Sequence, residues 1–182
     1  TPTLLHIRDE KEVMLQQVEN AMNNHDVLLL SGGVSKGKFD YLPEILEELK
    51  VEKLFHRVFQ RPGKPLWFGK QQENNVTVFS FPGNPNSTFV NFHIYFKRWL
   101  AASLELDTST SEVILKTDIA NHPTITRYLL VKTKLENGQF QAELLNENGS
   151  GDLISLANAD GVIVLPPEKD FKQGDVVEFV EF

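Results

Sequence analysis

The sequence predicts two kinds of structure in series, an α/β layer followed by a small all-β domain. Three observations carry this. Strand-like and helix-like segments alternate up to about Ala102, the pattern of an α/β layer. A polar stretch, Leu106-Asp107-Thr108-Ser109-Thr110-Ser111, then breaks the chain. Beyond it only short β-type runs occur, with turn signals between them, as in a barrel or sandwich.

The elements follow in order. Leu4–Ile7 is strand-like. From Glu10 to Asn23, Val13, Met14, Val18, Ala21 and Met22 recur at helical spacing, with Asp9 placed as N-cap. Val27-Leu28-Leu29-Leu30 is solidly apolar, as for a strand covered on both faces, and ends in the glycine-rich Ser31-Gly32-Gly33-Val34-Ser35-Lys36-Gly37. A second helix is predicted over Tyr41–Lys50, capped by Asp40, with Pro43 in its first turn, where a missing N–H does no harm. Leu54–Phe59 alternates like a strand and stops at Arg61-Pro62-Gly63-Lys64-Pro65. Leu66–Gly69 and Val76–Phe81 read as a hairpin around a polar turn. Pro82-Gly83-Asn84-Pro85-Asn86-Ser87 then leads into a helix to about Ala102, with Ser87 as its cap. On that helix Phe89, Phe92, His93, Phe96 and Leu100 share one face, read as packing.

In the second half the β-type runs are Val113–Leu115, Thr124–Leu135, Gln139–Leu145, Gly161–Leu165 and Val176–Phe182. Asn137-Gly138 is a strong hairpin signal between two of them, and Leu153–Asn158 suits one helical turn.

Composition narrows the function. With 41% hydrophobic and 24% charged residues over 182 positions, the chain can bury a core without staples. It has no cysteine, which excludes a thiol nucleophile, cysteine-ligated iron–sulfur clusters and Cys-type zinc sites. Eighteen basic and 25 acidic residues give a net charge of −7, against a chain-wide basic face for nucleic acid. Apolar runs fall far short of the ~18 residues that span a bilayer. The opening, Thr1 to Glu10, lacks the basic and apolar regions of a signal peptide and reads as the middle of a domain. The expectation is a cytoplasmic protein, or a piece of one, without nucleic-acid or membrane partners.

Three loops carry the candidate chemistry, each following a strand or preceding a helix, where α/β sheets bind ligands. In Ser31–Gly37 the glycines can turn successive N–H groups into an anion-binding nest, or simply make a βα turn. Asp40 is a helix cap or a metal or catalytic carboxylate. The second loop, with Arg57 upstream, holds Arg61 and Lys64 on a backbone stiffened by two prolines; a solvated basic turn is the alternative. Charge favours the site reading. Between Lys36 and Lys70 eight basic residues face five acidic ones, net +3, while the remainder sums to −10. A positive patch on an acidic chain suits a small polyanion. The third loop, Pro82–Ser87, read alone, is a stiff turn. The histidines at 6, 25, 56, 93 and 122 show no ligand spacing, and Asn148-Gly149-Ser150-Gly151 is a loop that could touch a ligand.

Taken together, Ser31-Gly32-Gly33-Val34-Ser35-x-Gly37-x-x-Asp40-Tyr41, Arg61-Pro62-Gly63-Lys64-Pro65 and Pro82-Gly83-Asn84-Pro85-x-Ser87 closely resemble the molybdopterin molybdenumtransferase family, which includes the catalytic domain of gephyrin. Gly149-Ser150-Gly151, Leu156-Ala157-x-Ala159-Asp160-Gly161 and Val164-Leu165-Pro166 resemble that family's C-terminal β-barrel. The resemblance covers essentially all 182 residues but less than half of the family's usual chain. It implies an N-terminally truncated, three-layer α/β domain of the molybdopterin-binding type over 1–105, followed by a β-barrel domain over 108–182.

The resemblance further implies adenylylated molybdopterin and molybdate as substrates, AMP and molybdenum cofactor as products, Mg²⁺ as helper and a homodimeric full-length enzyme. Asp40, Lys64 and Arg61 would then be catalytic, with Asp40 and Asp9 at the metal. Gly32, Gly33, Ser35, Arg57, Pro82, Gly83, Asn84, Ser87, Arg127 and Ser150 would bind substrate. The isolated chain is expected to be inactive. Two departures stand out: Lys36 replaces a small apolar residue, and the family's Arg-x-Glu-Phe-like segment reads Arg127-Tyr128-Leu129-Leu130. Two alternatives are kept. A molybdopterin adenylyltransferase-like or competence-damage-type enzyme would lack the domain after Ser111. A non-enzymatic scaffold would bind no pterin nucleotide.

Overall fold

The computed structural model describes residues 2–34, 41–120, 124–145 and 152–182. Its contacts divide the chain into two units, Thr1–Arg57 with Pro65–Gly83, and Val58–Lys64 with Asn84–Phe182.

In the first unit α1 (Lys11–Asn24) and α2 (Leu42–Glu48) bury one stripe each: Met14, Val18, Ala21 and Met22 on α1, Leu42, Ile45 and Leu46 on α2. These meet Leu28, Trp67, Val76 and Val78 from a four-stranded sheet ordered β1-β5-β4-β2. The strands are β1 (Val27–Ser31), β2 (Glu52–His56), β4 (Trp67–Gln71) and β5 (Val76–Phe81). β1 runs parallel to β5, while β4 is antiparallel to both β5 and β2. The opposite face carries an aromatic run, Phe55, Phe68, Phe79 and Phe81, with neighbouring ring centroids 4.6–6.2 Å apart.

Several sequence expectations are corrected here. Leu4–Ile7 is not a strand: among the described residues no ladder partner pairs with it, and Leu4 is 98% exposed. β1 stands at the sheet edge and is not covered on both faces: Leu28 is buried on the helix side, and Leu29 on the other is 42% exposed. The residue at the N-cap of α1 is Glu10, not Asp9, and its side chain makes no capping bond. β2 ends at His56 rather than Phe59, since Arg57 takes a left-handed backbone (φ 71°) that leaves the strand. At α2 the capping position is Tyr41, and Pro43 sits in the first turn as expected. The expected cap Asp40 lies outside the described residues.

The second unit begins with β3 (Gln60–Arg61), which pairs in parallel with the start of β7 (Thr126–Glu136). α3 (Pro85–Asn91) continues through a π-helical segment, Phe92–Lys97, into α4 (Arg98–Ser103). Asn84, not Ser87, caps α3: its side chain accepts from the Ser87 N–H at 3.0 Å. The wider π turn also rotates the later residues out of the expected stripe. Asn86, Ser87, Val90, Asn91, His93 and Ile94 are the buried positions, whereas Phe89 is 40% and Leu100 38% exposed. Phe92 and Phe96 are half-buried and pack on each other at 5.1 Å.

The remaining strands close a five-stranded barrel, as predicted. They are β6 (Ser111–Leu115), β8 (Gln139–Leu144), β9 (Gly161–Leu165) and β10 (Val176–Glu181), with the short helix α5 (Leu153–Asn158) before β9. The ladder runs β7-β8-β6-β10-β9 and returns to β7 by the β7–β9 pairing. Inward residues alternate along the strands, with Val113, Leu115, Val131, Ile163, Leu165, Val177 and Phe179 in one cluster. A second cluster sets Val90 and Ile94 against Leu130, Val162 and Val180. Asn137 (φ 50°) and Gly138 (φ 79°) form the left-handed hairpin turn that the sequence indicated. Asp160 ties the barrel across, accepting from Lys132 and from the Thr133 N–H and hydroxyl. Burial alone would raise its carboxyl pKa, but these donors hold it below the usual range.

Candidate functional site

In the first unit the candidate site forms at the carboxyl ends of two parallel strands. Ser31 of β1 pairs with Phe81 of β5, so both strands end at one sheet edge. Gly32 (φ 95°) and Gly33 (φ 70°) follow directly in left-handed backbone, and the Gly32 N–H donates to the Phe81 carbonyl at 3.1 Å. Gly83 approaches so closely that a Cβ there would lie 3.5 Å from the Gly32 Cα. A Cβ on Gly32 would meet nothing within 4 Å, so this side of the turn is open. The loops after β1 and β5 are therefore brought together, with Pro82 buried and Gly83 exposed.

Arg57 is exposed, with its backbone N–H fastened to the Leu66 carbonyl at 2.7 Å. Beside it His56, which the sequence did not single out, reaches the Val34 carbonyl next to the glycine turn at 3.3 Å. Burial, then the nearby cations Arg57 and Lys53, push its pKa below the ordinary histidine value despite that carbonyl contact. The shift favours the uncharged imidazole beside the glycine turn. No spacing signal could have found it, since the contact spans 22 residues.

In the second unit Arg61 and Lys64 are both exposed at the two ends of a tight loop. Lys64 holds its ammonium 6.0 Å from the Phe59 ring centroid. The Val58 N–H donates to the Lys64 carbonyl at 3.0 Å, closing the loop base. Between the cations, Gly63 (φ 83°) packs against Asn91, with which a Cβ would collide at 2.3 Å. Asn84 and Ser87 are engaged in capping α3. Arg127 is half-buried opposite Arg61 in the β3–β7 ladder, and its guanidinium donates to the Ala120 carbonyl at 2.9 Å.

Ser35, Asp40 and Ser150 lie outside the described residues. Among the described residues, no group of three or more His, Asp or Glu side chains is arranged to hold a metal ion, and Asp9 is exposed in the turn before α1. The described carboxylates thus do not fit a Mg²⁺ site by themselves.

Residues 2–102 match the family model "Probable molybdopterin binding domain", and residues 112–182 match "MoeA C-terminal region (domain IV)". The chain is 38% identical over 178 residues to the molybdopterin molybdenumtransferase of Synechocystis, covering 97% of this chain and 43% of that protein. With the Staphylococcus aureus (strain Mu50) protein of the same name it shares 30% over 177 residues, covering 95% and 42%. Among solved structures, the molybdopterin biosynthesis MoeA protein of Pyrococcus horikoshii superposes with a TM-score of 0.75 at 29% identity, covering 96% of this chain and 42% of that one. The chain thus spans under half the length of these relatives. By residues 2–102, more than half of its length, the chain belongs to the probable molybdopterin binding domain family.

Proposed function

We propose that this chain forms part of an enzyme that inserts molybdate into adenylylated molybdopterin and releases AMP. The observation that carries the reading is the pairing of the two glycine turns, Gly32-Gly33 and Gly83, at the carboxyl edge of β1 and β5. A match there to a molybdopterin-binding domain alone would also suit an adenylyltransferase-like or competence-damage-type enzyme. The MoeA-type barrel over 112–182 favours the transferase.

In this reading 1–105 is the molybdopterin-binding domain and 108–182 the barrel domain. Gly32, Gly33, Pro82 and Gly83 shape the anion nest, aided by Ser35. Arg57, Arg61 and Lys64 hold molybdate or substrate phosphate. Fixed cations stabilise the charge that develops on oxygen as the phosphoanhydride breaks, without reorganising at that moment. Arg127 and Ser150 contribute from the barrel, and Asn84 and Ser87 shape the third loop. Asp40 is the catalytic carboxylate. Mg²⁺, with Asp40 and Asp9 as ligands, requires further carboxylates than those described, so no step is assigned to it. The full-length protein acts in the cytoplasm, as a homodimer, on small molecules.

The test is molybdate-dependent AMP release from adenylyl-molybdopterin by the full-length protein. Asp40→Asn is expected to lower turnover at least ~100-fold, in the range of removing one essential acid–base group. An unchanged rate in that variant removes Asp40 from the mechanism, and no AMP release by the wild type removes the function.

A further inference from the structure

The exposed ends of the Arg61–Lys64 loop contrast with its underside. Two of its backbone carbonyls accept hydrogen bonds from side chains that solvent scarcely reaches. Gln60, 4% exposed, donates from Nε2 to the Pro62 carbonyl at 2.9 Å and to Asn91 Oδ1 at 2.8 Å. Asn91, fully buried, donates from Nδ2 to the Gly63 carbonyl at 3.0 Å. The Tyr95 hydroxyl donates to Gln60 Oε1, and Tyr128 of β7 hydrogen-bonds Tyr95.

Each amide thereby fixes the other. Asn91 uses Oδ1 and Nδ2, and Gln60 uses Oε1 and Nε2, so neither can flip without losing its partners. Burying two amides costs free energy unless they are satisfied, and the same loop could have been packed on apolar side chains. Asn91 and Tyr95 stand four residues apart where α3 passes into the π-helical segment, which brings both beneath one loop. Gly63 completes the fit, because any Cβ would strike the Asn91 amide.

We infer that Asn91, with Gln60 and Tyr95, is a positioning element that holds the Arg61-Pro62-Gly63-Lys64 backbone in the geometry that binds a tetrahedral oxyanion. This rests on the proposed reading of Arg61 and Lys64 as oxyanion ligands. These residues touch no substrate. They act by fixing the Cα positions from which two long, flexible cations reach out, so less ordering is left to occur on binding.

The experiment is calorimetric titration of the chain with molybdate at fixed ionic strength. Arg61→Ala and Lys64→Ala test the underlying reading, and Asn91→Ala, Tyr95→Phe and Asn91→Ser test the inference. Asn91→Ala is expected to weaken binding about 10-fold and Tyr95→Phe about 3-fold, as for a displaced ligand group. Asn91→Ser keeps a donor and an acceptor and should recover part of the affinity lost in Asn91→Ala. Val177→Ala, a cavity in the barrel cluster that Tyr95 and Tyr128 do not join, should lower Tm but leave the Kd unchanged, which separates positioning from stability. Tyr95→Phe removes a single hydroxyl, so it keeps the test open if Asn91→Ala does not fold. Wild-type binding that is absent, or insensitive to Arg61→Ala and Lys64→Ala, overturns the oxyanion reading. Binding weakened by those two but unchanged in Tyr95→Phe and the folded Asn91 variants overturns the positioning role alone.

Discussion

Gly32 and Gly63 both adopt positive φ, yet a methyl group added to each meets different surroundings. At Gly32 it points into open space, so only backbone strain opposes Gly32→Ala, on the order of 1 kcal/mol. At Gly63 it also strikes the Asn91 amide, which two hydrogen bonds keep from moving aside. Gly63→Ala should therefore cost on the order of 2–4 kcal/mol, the range for strain combined with a broken buried network. Thermal denaturation of the two variants checks the contrast, and equal Tm values would refute it. The glycines themselves were legible in the sequence, as turn formers beside cations and a strand end. The reason for Gly63 was not, because the atom it must avoid belongs to a residue 28 positions away.

At the scale of the element, helix termini show what one sequence pattern leaves undecided. Asn84, Ser87 and Asp9 all sit near predicted helix starts with side chains able to cap, yet only Asn84 does so. The choice depends on which residue leaves helical φ and ψ, and Pro85 at the first helical position fixes that at Asn84, three positions before Ser87. In α5 the cap is unambiguous: Asp152 accepts from the Ile154 and Ser155 N–H groups at 3.1 and 3.0 Å. So short a helix has little propensity of its own. Asp152→Ala should lower stability by about 1 kcal/mol and Asp152→Asn much less, measured as shifts in the urea midpoint. The helix Pro85–Ser103 teaches the same lesson about periodicity. Its aromatic stripe fits a uniform 3.6-residue repeat, but the packing buries the neighbouring face, so Phe89 is exposed while Asn91 is buried.

For the molecule as a whole, a buried histidine makes stability depend on pH. His93 is 7% exposed and its pKa is lowered to about 4, by burial first and the adjacent Lys97 second, against the Glu181 carbonyl. Its Nδ1 lies 3.2 Å from the Lys97 ammonium, which an uncharged ring can accept from. The unfolded chain, with an ordinary histidine near 6.5, takes up a proton before the native state does. Stability from this group is therefore complete above pH 6.5 and is lost as pH falls toward 4, by on the order of 2–3 kcal/mol. His93→Gln should flatten the urea midpoint over that window, and an unchanged slope would show that other groups set it. Charge at this scale was readable from composition, whereas the depression of His93 was not: no spacing sets this histidine apart, and its burial does.

The sequence by itself determined the succession of an α/β layer and a β-barrel, the hairpin turns and the three loops that place the chain in its family. These are local properties: side-chain period, the φ values open to glycine and proline, and short motifs. Tertiary structure decided which faces are covered, which residue caps each helix, and what lies beneath the cation loop. Those outcomes depend on partners far apart in the chain, as with Leu29 at a sheet edge or Asn91 under Gly63. Local preference states what each segment can do, and packing selects among the options by which groups it removes from water.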